Sequence, residues 1–85
     1  MVFYHLEGRP VRSVARVEFF PLRCELWDGR QWAPFRDPAR VLHEGVPLDR
    51  RGAAALLREI RQQLQGLPEL SDGEALQVLD APARI

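Results

Sequence analysis

The first part of the chain alternates between apolar and polar positions in a way that predicts β-strands. Val2 to Leu6 is short and rich in aromatic and β-branched residues, and residues 11–20 alternate with a period of two. Pro21 cannot donate to a sheet ladder, so we expect a bend or a sheet edge there before the alternation resumes at residues 22–27. The pattern predicts an antiparallel meander of three or four strands over about residues 2–35.

The second half of the chain changes to a helical period. Residues 50–65 carry apolar side chains at i, i+3, i+4 and i+7, and Asp49 directly before them is a favourable N-cap. Ser71, followed three residues later by Glu74, forms a capping-box pattern that predicts a short helix over about residues 72–79. The second half therefore predicts one long amphipathic helix and one short C-terminal helix.

The segment between these halves is expected to be mostly irregular. Prolines and an aspartate break the pattern over residues 36–40, which predicts a loop, and residues 41–46 fit a short strand. Strands first and helices after are typical of a single α+β domain over residues 1–85, with helices on one sheet face and the other face open. The predicted core comprises Val11, Ala15, Val17, Phe19, Leu22, Leu26, Leu56, Leu57, Ile60, Leu64, Leu76 and Leu79.

A strong hairpin signal, Asp28-Gly29, separates the two tryptophans of the chain, Trp27 and Trp32. A two-residue type I′ loop would place both rings on the sheet face opposite Cys24, where they would form an exposed aromatic surface. A type I turn with a glycine bulge would slip the register by one residue, pair Cys24 with Trp32 and turn that ring into the core. The alternation leaves both registers open.

The charged residues are unevenly distributed along the chain. The net charge is zero, and all twelve basic residues are arginines. Residues 1–65 carry eleven arginines against eight acidic residues, whereas residues 66–85 carry one arginine against four acidic residues. Because the acidic tail also contains several leucines, we expect it to dock on the more basic remainder of the chain.

The arginines and tryptophans are also the candidates for binding. Arginines in the first turn of the long helix oppose its macrodipole, so helix stability does not explain them. They either bind a phosphate or a partner's carboxylate, or they pair with acidic residues of the same chain. The candidate interaction residues are Arg23, Trp27, Arg30, Trp32, Arg50, Arg51, Arg58 and Arg61.

The chain carries no pattern typical of catalysis, of a metal site or of a cofactor site. Its only cysteine, Cys24, lies in the middle of a predicted strand on the apolar face, where a thiol behaves as a small inert hydrophobe. No stretch has the features of a secretion signal or a membrane span, so we expect a cytoplasmic protein that does not contact a membrane.

These features favour a non-enzymatic interaction module. We expect it to act as a homo-oligomer, dimer or higher, or as an accessory subunit bound to a protein partner. One alternative is a nucleic-acid-binding protein that uses an arginine-lined helix and a tryptophan-bearing hairpin, although a net charge of zero is unusual for that class. A small enzyme whose site forms between subunits, with Cys24, His43 and Glu44 as its reactive groups, is the remaining alternative.

Overall fold

The computed structural model describes residues 1–17 and 20–83, apart from the side chains of residues 15–17, 21 and 22. The described elements, in chain order, are β1 (Val2–Leu6), β2 (Arg9–Val17), β3 (Phe20–Trp27), β4 (Trp32–Phe35), α1 (Pro38–Glu44), β5 (Val46–Leu48), α2 (Arg50–Gln62) and α3 (Asp72–Val78). Within the described ranges, none of the helices has the length and apolar character needed to cross a membrane.

The strands form one antiparallel sheet in the order β4-β3-β2-β1-β5. The first four strands are the predicted meander, and β5 extends the sheet by pairing with β1. Val17 belongs to β2 and Phe20 to β3, and the two residues pair with each other, so residues 11–20 are not the single strand that we predicted. The α+β fold class is confirmed, and the sheet has one strand more than the meander predicts.

Helix α1 corrects the prediction for the middle of the chain. Residues 36–40 were expected to form a loop and residues 41–46 a strand, whereas the structure has a helix from Pro38 to Glu44. The Asp37 side chain accepts a hydrogen bond from the Arg40 backbone N–H at 3.2 Å, and proline occupies the first helical position. Proline is well tolerated there because the N–H that it lacks has no partner within the helix. Pro38 therefore starts a helix instead of breaking one.

The two later helices begin where they were predicted. The Asp49 carboxylate accepts from the Gly52 backbone N–H at 2.7 Å, and both hydrogen bonds of the predicted capping box before α3 are present. Helix α2 ends at Gln62, about three residues before its predicted end. Leu76 was expected in the core but is 38% exposed on α3, because the buried side of that short helix is carried by Ala75 and Leu79.

The sheet has a core on each face, so the prediction of one open face is wrong. One core contains Phe3, Trp27, Trp32, Ala53, Ala54, Leu57, Leu70, Ala75 and Leu79 and lies under α2 and α3. The other contains Tyr4, Leu6, Val11, Cys24 and Val41, and it is α1 that contributes Val41. Of the predicted core, Phe19 and the side chains of Ala15, Val17 and Leu22 lie outside the described residues.

Candidate interaction surfaces

The hairpin between β3 and β4 adopts neither of the two predicted registers. Trp27 pairs directly with Trp32, which leaves a four-residue loop from Asp28 to Gln31. The Asp28 carboxylate accepts hydrogen bonds from the backbone N–H groups of Arg30 and Gln31, both at 2.8 Å. This side chain closes the wider loop, as aspartate commonly does in turns.

Both tryptophans lie on one sheet face, but that face is the one under α2 and α3. Trp27 is 2% exposed and Trp32 is 1% exposed, so the predicted exposed aromatic pair is wrong. Both rings lie in the core, whereas the alternative register predicted a core position for Trp32 alone. Rings buried in this way offer no platform on which nucleic-acid bases could stack.

The two buried indoles differ in how their N–H groups are satisfied. Trp32 Nε1 donates to the Val78 carbonyl at 2.8 Å, which ties β4 to the end of α3. Trp27 Nε1 is buried and has no acceptor among the described residues. A buried donor without an acceptor costs about 1–3 kcal/mol. Trp27 is therefore an unsatisfied polar group that calls for an explanation.

Arg12 and Glu25, which the sequence analysis did not single out, form a buried ion pair beside these rings. They are cross-strand partners in β2 and β3, their Nε and Oε1 atoms are 2.7 Å apart, and their side chains are 2% and 6% exposed. Arg12 also donates to the Leu79 carbonyl at 2.8 Å and lies 4.4 Å from the centre of the Trp32 ring. These contacts fasten the end of α3 to the sheet. Finding the pair from the sequence would have required the β2–β3 register.

Three of the four candidate arginines on α2 make contacts within the chain. Arg50 pairs with Asp80, and Arg58 donates to the Leu70 carbonyl and pairs with Asp72. The hydrogen bond from Arg50 lowers the pKa of the Asp80 carboxyl and raises the pKa of Arg50. The predicted docking of the acidic tail is present in these pairs.

The other two candidate arginines on α2, Arg61 and Arg51, differ in the contacts that they make. Arg61 donates to the carbonyls of Gly29 and Pro68 at 2.5 and 3.1 Å, which fixes the β3–β4 loop against the end of α2. Arg51 is exposed and has no hydrogen-bond or ion-pair partner among the described residues. Arg51 is therefore the only one of these four arginines without a partner among the described residues.

Four of the eight candidate residues meet in one place, which we call the loop cleft. It is a small cavity of about 150 Å³ lined by Trp27, Arg30, Gln31, Trp32, Arg61, Val78, Ala81 and Pro82. A wider hollow lined by Arg30, Gln31, Arg61 and Leu67 adjoins it. The other four candidates, Arg23, Arg50, Arg51 and Arg58, do not line the loop cleft.

A second surface is the β2–β3 ribbon, defined as residues 14–17 of β2 with residues 20–23 of β3. The pairs Ala15–Arg23, Arg16–Pro21 and Val17–Phe20 join these two strands beyond the last pairs that they make with β1 and β4, at Ser13 and Cys24. The register shifts between Ser13 and Ala15 and again between Ala15 and Arg16, so the pairing is irregular where the ribbon leaves the sheet. Among the described residues, the ribbon has no third strand on either side.

Cys24 has the environment predicted for it. The thiol is buried in the core under α1, and burial raises its pKa. A raised pKa keeps the thiol protonated and unreactive, since the thiolate is the nucleophilic form. Within the described part of the chain, no three metal-binding side chains come together.

Comparisons of this chain with protein-family models, with curated proteins and with solved structures find no match. Its function must therefore be inferred from its own surfaces, of which the loop cleft and the β2–β3 ribbon are the two candidates.

Proposed function

We propose that this chain is a non-enzymatic interaction module that works as a small homo-oligomer, in which the β2–β3 ribbon of one copy pairs with that of a second. The observation that carries the proposal is the extension of β2 and β3 by three residue pairs beyond the rest of the sheet. A two-stranded ribbon is at best marginally stable in water unless something packs against it or adds a strand. A second copy would supply both the added strand and a surface that packs against the ribbon.

The edges of the sheet direct this pairing to the ribbon. The outer strands β4 and β5 are four and three residues long, and each contains a proline, Pro34 and Pro47. Short strands and prolines are common devices that prevent edge-to-edge association. Residues 14–17 of β2, Val-Ala-Arg-Val, contain no proline and leave one side of the strand without a partner in the described chain. The β2 side of the ribbon is therefore the better template for another strand.

A second copy is the occupant that fits this edge by symmetry. An antiparallel strand can pair with the same segment of an identical chain about a two-fold axis, which gives a closed dimer. The β2 segment that would pair contains Val14 and Val17, and valine favours strands.

The proposal is tested by sedimentation velocity on wild type and two lysine variants. Val17→Lys places a charge on the ribbon, where an edge lysine opposes strand addition. Val46→Lys places the same charge on β5, where the valine is 58% exposed, and serves as the matched control. We expect wild type and Val46→Lys to dimerise with the same concentration dependence and Val17→Lys to be shifted to monomer, with circular dichroism confirming that all three are folded.

Two results would overturn the proposal. One is a wild-type chain that stays monomeric up to millimolar concentration. The other is a dimer that Val46→Lys weakens as much as Val17→Lys does. If Val17→Lys fails to fold, a wild-type chain that stays monomeric or a dimer that Val46→Lys dissociates still overturns the proposal.

A further inference from the structure

We propose that the loop cleft is a binding site for a single carboxylate group carried on a small aliphatic body. This site is separate from the β2–β3 ribbon and does not depend on self-association. The unsatisfied N–H of Trp27, the free guanidinium of Arg30 and the fixed guanidinium of Arg61 all belong to residues that line the same cavity.

The hydrogen-bonding groups of the cleft are mainly donors. Arg61 is held in place because its Nε and Nη1 atoms donate to the carbonyls of Gly29 and Pro68, which leaves its second amino group for a ligand. Arg30 is exposed, and its side chain has no partner in the described part of the chain. A carboxylate supplies several lone pairs at one point, so it can accept from two guanidiniums and an indole N–H together.

Two acidic groups that belong to the loop or interact with Arg61 are already engaged. Asp28 directs its carboxylate to the backbone N–H groups of Arg30 and Gln31, which shapes the loop. Glu74, which interacts electrostatically with Arg61, accepts the Ser71 backbone N–H in the capping box of α3. The two guanidiniums are therefore not neutralised by a direct ion pair with either group.

Size and lining select the ligand. The cleft itself measures about 150 Å³, below the roughly 300–1,000 Å³ of ordinary small-molecule sites, which suits a small group better than a large one. Outside the loop, the side chains of Val78, Ala81 and Pro82 give the cleft an apolar wall. An aliphatic carboxylate satisfies both the donors and this wall, whereas inorganic phosphate satisfies only the donors.

The indole N–H resonances provide a direct test on the full chain labelled with ¹⁵N. Titration with propionate at constant ionic strength, kept with chloride, should move the Trp27 Nε1–H signal downfield in a saturable way. The Trp32 signal should move far less, because its N–H already donates to Val78. Inorganic phosphate is titrated in parallel. N-acetylalanine, which resembles a peptide C-terminus, is compared with propionate to distinguish these two sources of the carboxylate, and its amide, which has no carboxylate, serves as the negative control.

Two glutamine variants make the test specific. Arg30→Gln should weaken propionate binding by about tenfold or more, the loss expected for one charge-assisted hydrogen bond. Arg51→Gln removes an equally unpartnered arginine outside the cleft and should leave the affinity unchanged. The proposal is overturned if the Trp27 signal does not respond to propionate, if chloride or phosphate alone produces the same shift, or if the two variants behave alike.

Discussion

Trp27 and Trp32 face each other across β3 and β4 with ring centres 5.6 Å apart, yet only Trp32 uses its indole N–H within the fold. Both rings are almost fully buried, so their packing contributions are similar. The difference between them is one hydrogen bond to the end of α3. This asymmetry allows the structural and binding roles of the two residues to be separated by the same substitution.

Trp32→Phe should destabilise the protein more than Trp27→Phe. Both changes remove part of a buried ring, but Trp32→Phe also leaves the Val78 carbonyl without its donor, whereas Trp27→Phe removes a donor that has no acceptor. We expect a difference of about 1 kcal/mol in the free energy of unfolding, measured in urea. Equal losses for the two variants would contradict the hydrogen-bond assignment.

Removal of one partner from the buried pair of Arg12 and Glu25 should be among the most damaging single changes. Arg12→Met leaves the Glu25 carboxylate buried without its cation, and we expect a loss of about 3–5 kcal/mol of unfolding free energy. The double variant Arg12→Met/Glu25→Leu should recover most of that loss, because no buried charge remains. Chemical denaturation of the two variants gives the comparison. A double variant no more stable than Arg12→Met would contradict this account of the buried pair.

The β3–β4 loop depends on a glycine at position 29. Its φ is 103°, and a Cβ there would lie 2.5 Å from Leu64 Cδ1, so Leu64 would have to move. Gly8 has a φ of 80° but open space around it, which makes Gly8→Ala the matched control for backbone strain. We expect Gly29→Ala to cost about 1–2 kcal/mol more than Gly8→Ala in thermal or urea unfolding. Similar losses would mean that the loop does not pack against Leu64 as described.

Acid should weaken the attachment of the C-terminal tail. Since the hydrogen bond from Arg50 lowers the pKa of Asp80 in the folded protein, the stabilisation is complete above the ordinary pKa of an aspartate. It disappears as the pH falls through the lowered value. Arg50→Gln should therefore reduce the loss of stability on acidification, whereas Arg51→Gln, with no acidic partner in the described chain, should retain the wild-type profile. A pH series of urea midpoints for the three proteins tests this order.

The sequence was sufficient where one short-range interaction determines the local structure. Asp49, Ser71 and Glu74 make the predicted capping hydrogen bonds, and α2 and α3 begin where those residues require. The sequence pattern predicts that Pro38 breaks the chain's regular structure, although an aspartate followed by proline is also a helix start. The helix forms here because Val41 reaches a core on the second sheet face. Local patterns do not contain that tertiary contact.

The sequence predicts the roles of the candidate residues less well, because these roles depend on the register between neighbouring strands. Asp28-Gly29 marks the hairpin correctly, but the Asp28 side chain favours a four-residue loop that changes every cross-strand pair. The same uncertainty concealed the pairing of Arg12 with Glu25. Trp27, Arg30, Trp32 and Arg61 were identified individually, whereas their meeting in one cavity follows from the packing of α2 against the loop.

The central proposal, that the β2–β3 ribbon pairs with a second copy, is tested most directly by amide hydrogen exchange of residues 15–17 at several protein concentrations. Protection of these amides should rise with concentration in parallel with the dimer fraction, because strand addition gives their outward groups a partner. Fast exchange that does not change with concentration, in a chain that either stays monomeric or dimerises, would contradict the proposal.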